Sequence, residues 1–326
     1  MAVATPREEH DSKEFRMQLL HTATRMKCSQ VVDVLLIAGA DVETSLEGKT
    51  PLMVSAEIGD WETAGVLLDN GVSMTAKDNN NRTALHLAAR SGNNPVVGLL
   101  IDRGADKEAM DIKGQTALHL AIVKGQESNA SLLLGRGAAI EAKDMEGQTA
   151  LHLAAANGRD NLVGLLTDRG AKEASTREYQ TALCLAASSG SDSVGVLFLP
   201  VNRGVNIKVA DFYGWQALHT AAWNGHESTI KMLAETLSAD MEARDRHGWT
   251  ALHVAAICGR HTIVEMIVQN LGADKDAKDE TGWTALHFVA ALGFKDTVKT
   301  LIKTLDVNKH ARNCQGKAAL DLAQEL

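Results

Sequence analysis

"DIKGQTALHLAIVKGQESNASLLLGRGAAIEAKD", residues 111–144, holds every part of a unit that the rest of the chain repeats. Thr116 stands where a helix N-cap belongs, since its hydroxyl can accept one of the amide hydrogens that a first turn leaves unpaired. Ala117, Leu118, Leu120 and Ala121 follow at helical spacing, and Gly125 supplies a residue able to end a short helix in a left-handed conformation. A second helix is expected around Ala130, Leu132, Leu133 and Leu134, stopped by Gly137. The extended "AAIEAKD" then leads to a turn at Gly147. One unit therefore reads as helix, turn, helix and projecting finger.

Working outward, the first slot of "TALH" recurs at Gln18, Thr50, Thr83, Thr116, Thr149, Thr181, Gln216, Thr250, Thr284 and Ala318, in steps of 32 to 35 residues. A fixed period near 33 marks a solenoid, in which no unit buries its apolar face alone and stacking supplies the core. Through "TALHLAA", the helix-stopping glycine, "RGADKEAMD" and the "DxxG" turn, the chain resembles the ankyrin repeat family over about residues 15–326. The resemblance implies an all-α solenoid of helix-turn-helix-finger units, here nine full units and a closing half-unit.

The resemblance also implies that His21, His86, His119, His152, His219, His253 and His287, all in the fourth motif slot, are buried hydrogen-bonding residues. Spacing agrees, because stacked helices lie ~10 Å apart and zinc ligands sit ~2 Å from their metal. Asp78, Asp111, Asp144, Asp211, Asp245 and Asp279 read as turn residues that bond local backbone, not as catalytic acids.

Composition narrows the function. The 326 residues are 45% hydrophobic, 23% charged and 4% aromatic, with a formal net charge of −8. That charge, with no Lys/Arg run, argues against a nucleic-acid partner. No segment approaches the ~18 apolar residues of a membrane span, and the charged opening is no secretory signal. Cys28, Cys184, Cys258 and Cys314 form no CxxC pair, which fits thiols in a reducing compartment, cytoplasmic or nuclear. Neither a metal nor a cofactor is indicated, and a monomer is expected.

At the ends the pattern degenerates. Residues 1–14 are expected to form a flexible tail, followed by a single array over 15–326. The last unit stops after "AALDLAQEL", so either one helix is the cap or Leu326 marks a truncated parent. Within the array, sub-arrays 15–180 and 181–326 are expected to meet near 170–204. There a finger is one residue short, Thr176 and Tyr179 replace the usual Asp and Gly, Cys184 replaces the histidine and Pro200 interrupts a second helix. Beyond it, "LAETLSAD", "IVQNLGAD" and "LIKTLDVN" each carry one extra residue before the finger.

Family resemblance places partners on the concave side, made of fingers and first helices. In the early units those slots hold a mixed polar set that includes Arg82, Gln115 and Gln148. In the late units they hold Phe212, Tyr213, Trp215, Trp223, His247, Trp249, Ile257, Trp283 and Leu292. Two readings compete for Trp215, Trp249 and Trp283: successive indoles that stiffen the fingers, or a binding surface. Trp223, on a first helix, and Phe212 and Tyr213, at a turn tip, favour a surface, because rings dominate interface energetics. The expected function is a non-enzymatic scaffold binding a protein or peptide segment, or an elongated apolar molecule, on this face. Two alternatives remain open. One is a cyclase- or isomerase-type enzyme using Tyr213 and His247; the other is a methyl-lysine reader with a cage of Tyr213, Trp215 and Trp223.

Overall fold

The computed structural model describes residues 6–172, 181–190 and 207–324, with side chains from residue 13. Among these residues the protein is all-helical, with β-pairing limited to the isolated bridges Leu46–Lys49 and Arg312–Ala318. The chain divides into two compact units, Met1–Leu153 with Asp168–Ala171, and Ala154–Thr167 with Lys172–Leu326.

In the first unit the first helices Pro51–Ile58, Ala84–Ser91 and Ala117–Lys124 pack in succession. The second helices Trp61–Asp69, Asn94–Asp102 and Glu127–Gly135 form a parallel row behind them. Small side chains explain how closely the first helices approach: Ala88 and Ala121 are completely buried, while Leu85 and Leu118 fill the space between neighbours. Each such leucine contributes ~1.5–3 kcal/mol by leaving water. In the second unit Ala182–Ser189, Ala217–Asn224, Ala251–Ile257, Ala285–Leu292 and Ala319–Ala323 form the corresponding first-helix row.

The motif "TALH" is a capping device that also joins units. Thr83 takes an extended N-cap conformation and its N–H donates to Nδ1 of His86 at 3.1 Å. Nδ1 is thereby an acceptor, so Nε2 carries the proton and donates to the carbonyl of Gln115, in the next finger, at 3.0 Å. The arrangement recurs at His119 with Ala142 (3.1 Å), His219 with Trp249 (2.9 Å), His253 with Ala277 (3.1 Å) and His287 with Lys317 (3.2 Å). Burial pushes these imidazoles below their ordinary range, opposed in part by the carbonyl each one meets. With both ring nitrogens engaged and the charge disfavoured, they hold the stack together, as expected of this slot.

The extra residue of the late units is taken up at the end of the second helix. In early units the closing bond spans five residues, as in Ala105 N–H to Leu100 O and Ala138 N–H to Leu133 O. In late units it spans six, in Ala239 to Leu233, Ala273 to Ile267 and Val307 to Leu301. Helices Glu227–Lys231 and Lys295–Lys299 accordingly continue as π-helical turns over Met232–Thr236 and Thr300–Thr304.

The ends show two further features. A helix spans Pro6–Arg25, so helical backbone begins inside the segment 1–14 expected as a tail; proline at the first position suits a helix start. At the other end Ala319–Ala323 packs on Ala285–Leu292. Beside it lies a groove of about 790 Å³ lined by Leu286, Val289, Val298, Ile302 and Leu320. Thr176, Tyr179 and Pro200 of the expected junction lie outside the described residues; Cys184 is buried, and its N–H donates to the Thr181 hydroxyl at 3.3 Å.

Candidate functional site

The finger turn is built by its aspartate. Oδ1 of Asp245 accepts the N–H groups of His247 and Trp249 at 2.8 and 2.9 Å, and Oδ1 of Asp279 accepts those of Thr281 and Trp283, both at 2.8 Å. Asp78, Asp111, Asp144 and Asp211 form the same pair of bonds. Neighbouring tips are tied by backbone bonds, Arg246 N–H to Tyr213 O at 3.1 Å and Glu280 N–H to His247 O at 3.3 Å. Gly214 and Gly248 permit this approach: both have positive φ, and a Cβ on either would lie 2.8 Å from the next finger's amide nitrogen.

The other carboxylate oxygen explains why the residue before the motif threonine matters. In the early finger Arg82 bonds Oδ2 of Asp78 within its own turn, at 2.9 Å from Nε. In the late fingers the indole reaches across: Trp215 Nε1 donates to Oδ2 of Asp245 at 3.0 Å, and Trp249 Nε1 to Oδ2 of Asp279 at 3.2 Å. Where Trp stands in place of Arg, a bond within one turn is thus exchanged for one between fingers. The third indole faces a different residue, because Asn313 occupies the next turn. Oδ1 of Asn313 accepts from Gln315 and Lys317, both at 3.0 Å, which leaves its buried Nδ2, a donor, without a partner. Two donors cannot pair, and the Trp283 indole N–H has no bond among the described residues.

The expected site residues fall into three ring groups. Phe212 and Tyr213, 52% and 63% exposed, meet edge to face at 5.5 Å, with the Arg246 guanidinium 4.6 Å above the Phe212 ring. Trp223, 46% exposed, leans on Trp215 at 5.4 Å and so buttresses a finger indole. In the third group His247 lies 5.4 Å from Trp249, and Phe288 lies 5.5 Å from Trp249 and 4.9 Å from Trp283. This last group, with Asp279 and Glu280, lines a cleft of about 240 Å³.

Among the described residues no ring contact joins Trp215 to Trp249, or Trp249 to Trp283 directly; Phe288 is the bridge. Tyr213 and His247 belong to different groups, and Tyr213 makes no ring contact with Trp215 or Trp223. Half-buried Ile257 and exposed Leu292 lie outside the cleft lining. Phe288 was missed in the sequence because its slot holds buried Leu87 and Val254 in other units and reads as core. Its visible signal was a ring where those units carry an aliphatic.

Stacked two-helix units, finger turns closed by aspartate and a ring-lined cleft beside the fingers define a helical repeat protein. Family models described as "Ankyrin repeats (3 copies)" match residues 19–111, 106–176 and 183–279, and one described as "Ankyrin repeat" matches 281–314. The chain belongs to the ankyrin-repeat family, whose repeats are generally protein-interaction modules. Comparison with curated proteins gives no match. Among the described residues no helix is long and apolar enough to cross a membrane.

Proposed function

We propose that the protein is a non-enzymatic, intracellular scaffold that binds a protein segment along the finger side of the repeats beginning at Gln216, Thr250 and Thr284. The observation that carries this reading is the exposure of rings on that side: Phe212, Tyr213 and Trp223 stand about half or more in solvent, beside the cleft of Trp249, Trp283 and Phe288. Exposed rings on a rigid backbone lose little conformational freedom on binding and release much apolar surface from water.

The test is capture of partners on the immobilised full chain, comparing Trp223→Ala with Gln148→Ala. Truncating a hot-spot ring costs ~2–4 kcal/mol, roughly thirtyfold to a thousandfold in affinity, so Trp223→Ala should lose the partner and Gln148→Ala should keep it. Because Trp223 also supports Trp215, the melting temperature of each variant is measured alongside, and the comparison is made where both are folded. Equal capture by the two variants overturns the placement. A small molecule chemically altered by the pure protein overturns the scaffold reading.

A further inference from the structure

We infer that the cleft between Trp249, Trp283 and Phe288 is a subsite for one arginine side chain of the bound segment. This rests on the proposed binding face and adds to it the chemistry of the partner. The cleft, about 240 Å³, is smaller than the ~300 Å³ at which sites for whole small ligands begin, and suits a single side chain. Its walls are π-faces and edges at 4.9 and 5.5 Å from the central Phe288 ring. Ring faces attract cations, and a flat, weakly hydrated guanidinium stacks on them better than a compact ammonium does.

Its rim carries two carboxylates with different duties. Both oxygens of Asp279 already accept bonds from the finger, Oδ1 from Thr281 and Trp283 and Oδ2 from the Trp249 indole, so its main contribution is negative charge. Glu280 is exposed, and no hydrogen bond or ion pair engages its carboxylate among the described residues. It is the acceptor that a guanidinium fork can meet once its plane lies against the rings. The basic residue of the preceding tip does not compete, because the Arg246 guanidinium sits on the Phe212 ring. A carboxylate without a partner next to three rings selects positive charge, and the planar walls select arginine within that class.

The test follows the indole N–H signals of the folded full chain by NMR during titration with acetyl-Ala-Arg-Ala-amide and with its lysine and citrulline counterparts. The arginine peptide should shift the Trp249 and Trp283 signals saturably and leave Trp215 in place, with lysine weaker. Neutral citrulline, of nearly the same shape, should bind about tenfold more weakly or not at all, and Glu280→Gln should weaken the arginine peptide by about five- to tenfold. Equal binding of citrulline, or indifference to Glu280→Gln, overturns the assignment in favour of an apolar cleft. Absence of any saturable shift overturns it outright. A captured partner lost in Trp223→Ala but unaffected by replacing its arginines would sink this inference and leave the scaffold standing. Saturable arginine binding with no partner sensitive to Trp223→Ala would do the reverse.

Discussion

At the scale of single residues, the bond between an indole and the next finger's aspartate decides what the late tryptophans do for the fold. Trp249→Phe keeps a ring against Phe288 but removes the donor to Asp279 together with three ring atoms, so it should cost at least ~1.5 kcal/mol, the lower end of the range for a bond to a charged group, the indole being half-exposed. The third joint invites the opposite change. Asn313→Asp supplies the acceptor that Trp215 and Trp249 already find thirty residues onward, and should stabilise the protein by ~0.5–1.5 kcal/mol in urea unfolding. If Asn313→Asp is neutral while Trp249→Phe is costly, the donor-against-donor reading of that joint is wrong. None of this was legible in the sequence. The position of each tryptophan was plain, but the direction of an indole N–H depends on a rotamer and on a turn thirty residues away. The aspartates, by contrast, were read correctly because their bonds are local.

At the scale of elements, the sequence displayed the inserted residue in "LAETLSAD", "IVQNLGAD" and "LIKTLDVN", and not how a helix absorbs it. The answer is a wider closing turn whose penultimate residue has positive φ: Gly272 in one unit, but Ser238 and Asp306 in the others, at φ 54 and 47. L-residues pay for that conformation where glycine does not. Ser238→Gly and Asp306→Gly should therefore each raise stability by ~0.5–1 kcal/mol, read as a shift in urea midpoint at unchanged slope. Loss of stability in both would mean that their side chains hold the turn in a way that outweighs strain. Helix starts were easier to read, since Thr116 and Gly125 bracket Ala117–Lys124 as expected from capping chemistry alone. The helix start at Pro6 was not expected, because charged sequence without an apolar stripe carries no period to read.

At the scale of the whole molecule, the buried histidines make stability depend on pH in a stated direction. Folding lowers the affinity of His21, His86, His119, His219, His253 and His287 for a proton, principally through burial. Above the unfolded value, ~6.5, both states are neutral and these groups add no pH dependence. As pH falls below it, the unfolded chain binds protons that the folded chain refuses, so stability drops by ~1.4 kcal/mol per pH unit for each histidine still neutral when folded. Urea unfolding at pH 7.5, 6.5 and 5.5 should show a plateau and then a steep fall; a flat profile to pH 5.5 would contradict the burial of these rings. The same histidines give the protein a polarity along its chain. Each Nε2–H is satisfied by a carbonyl that comes later in the sequence, so a unit completes its own wiring only when its successor is present. Shortening from the front removes donors and leaves carbonyls that water can reach, whereas shortening from the back strands a buried N–H with nothing to meet. Tolerance to truncation is therefore lopsided, and a growing chain emerging from the ribosome secures each histidine one repeat late.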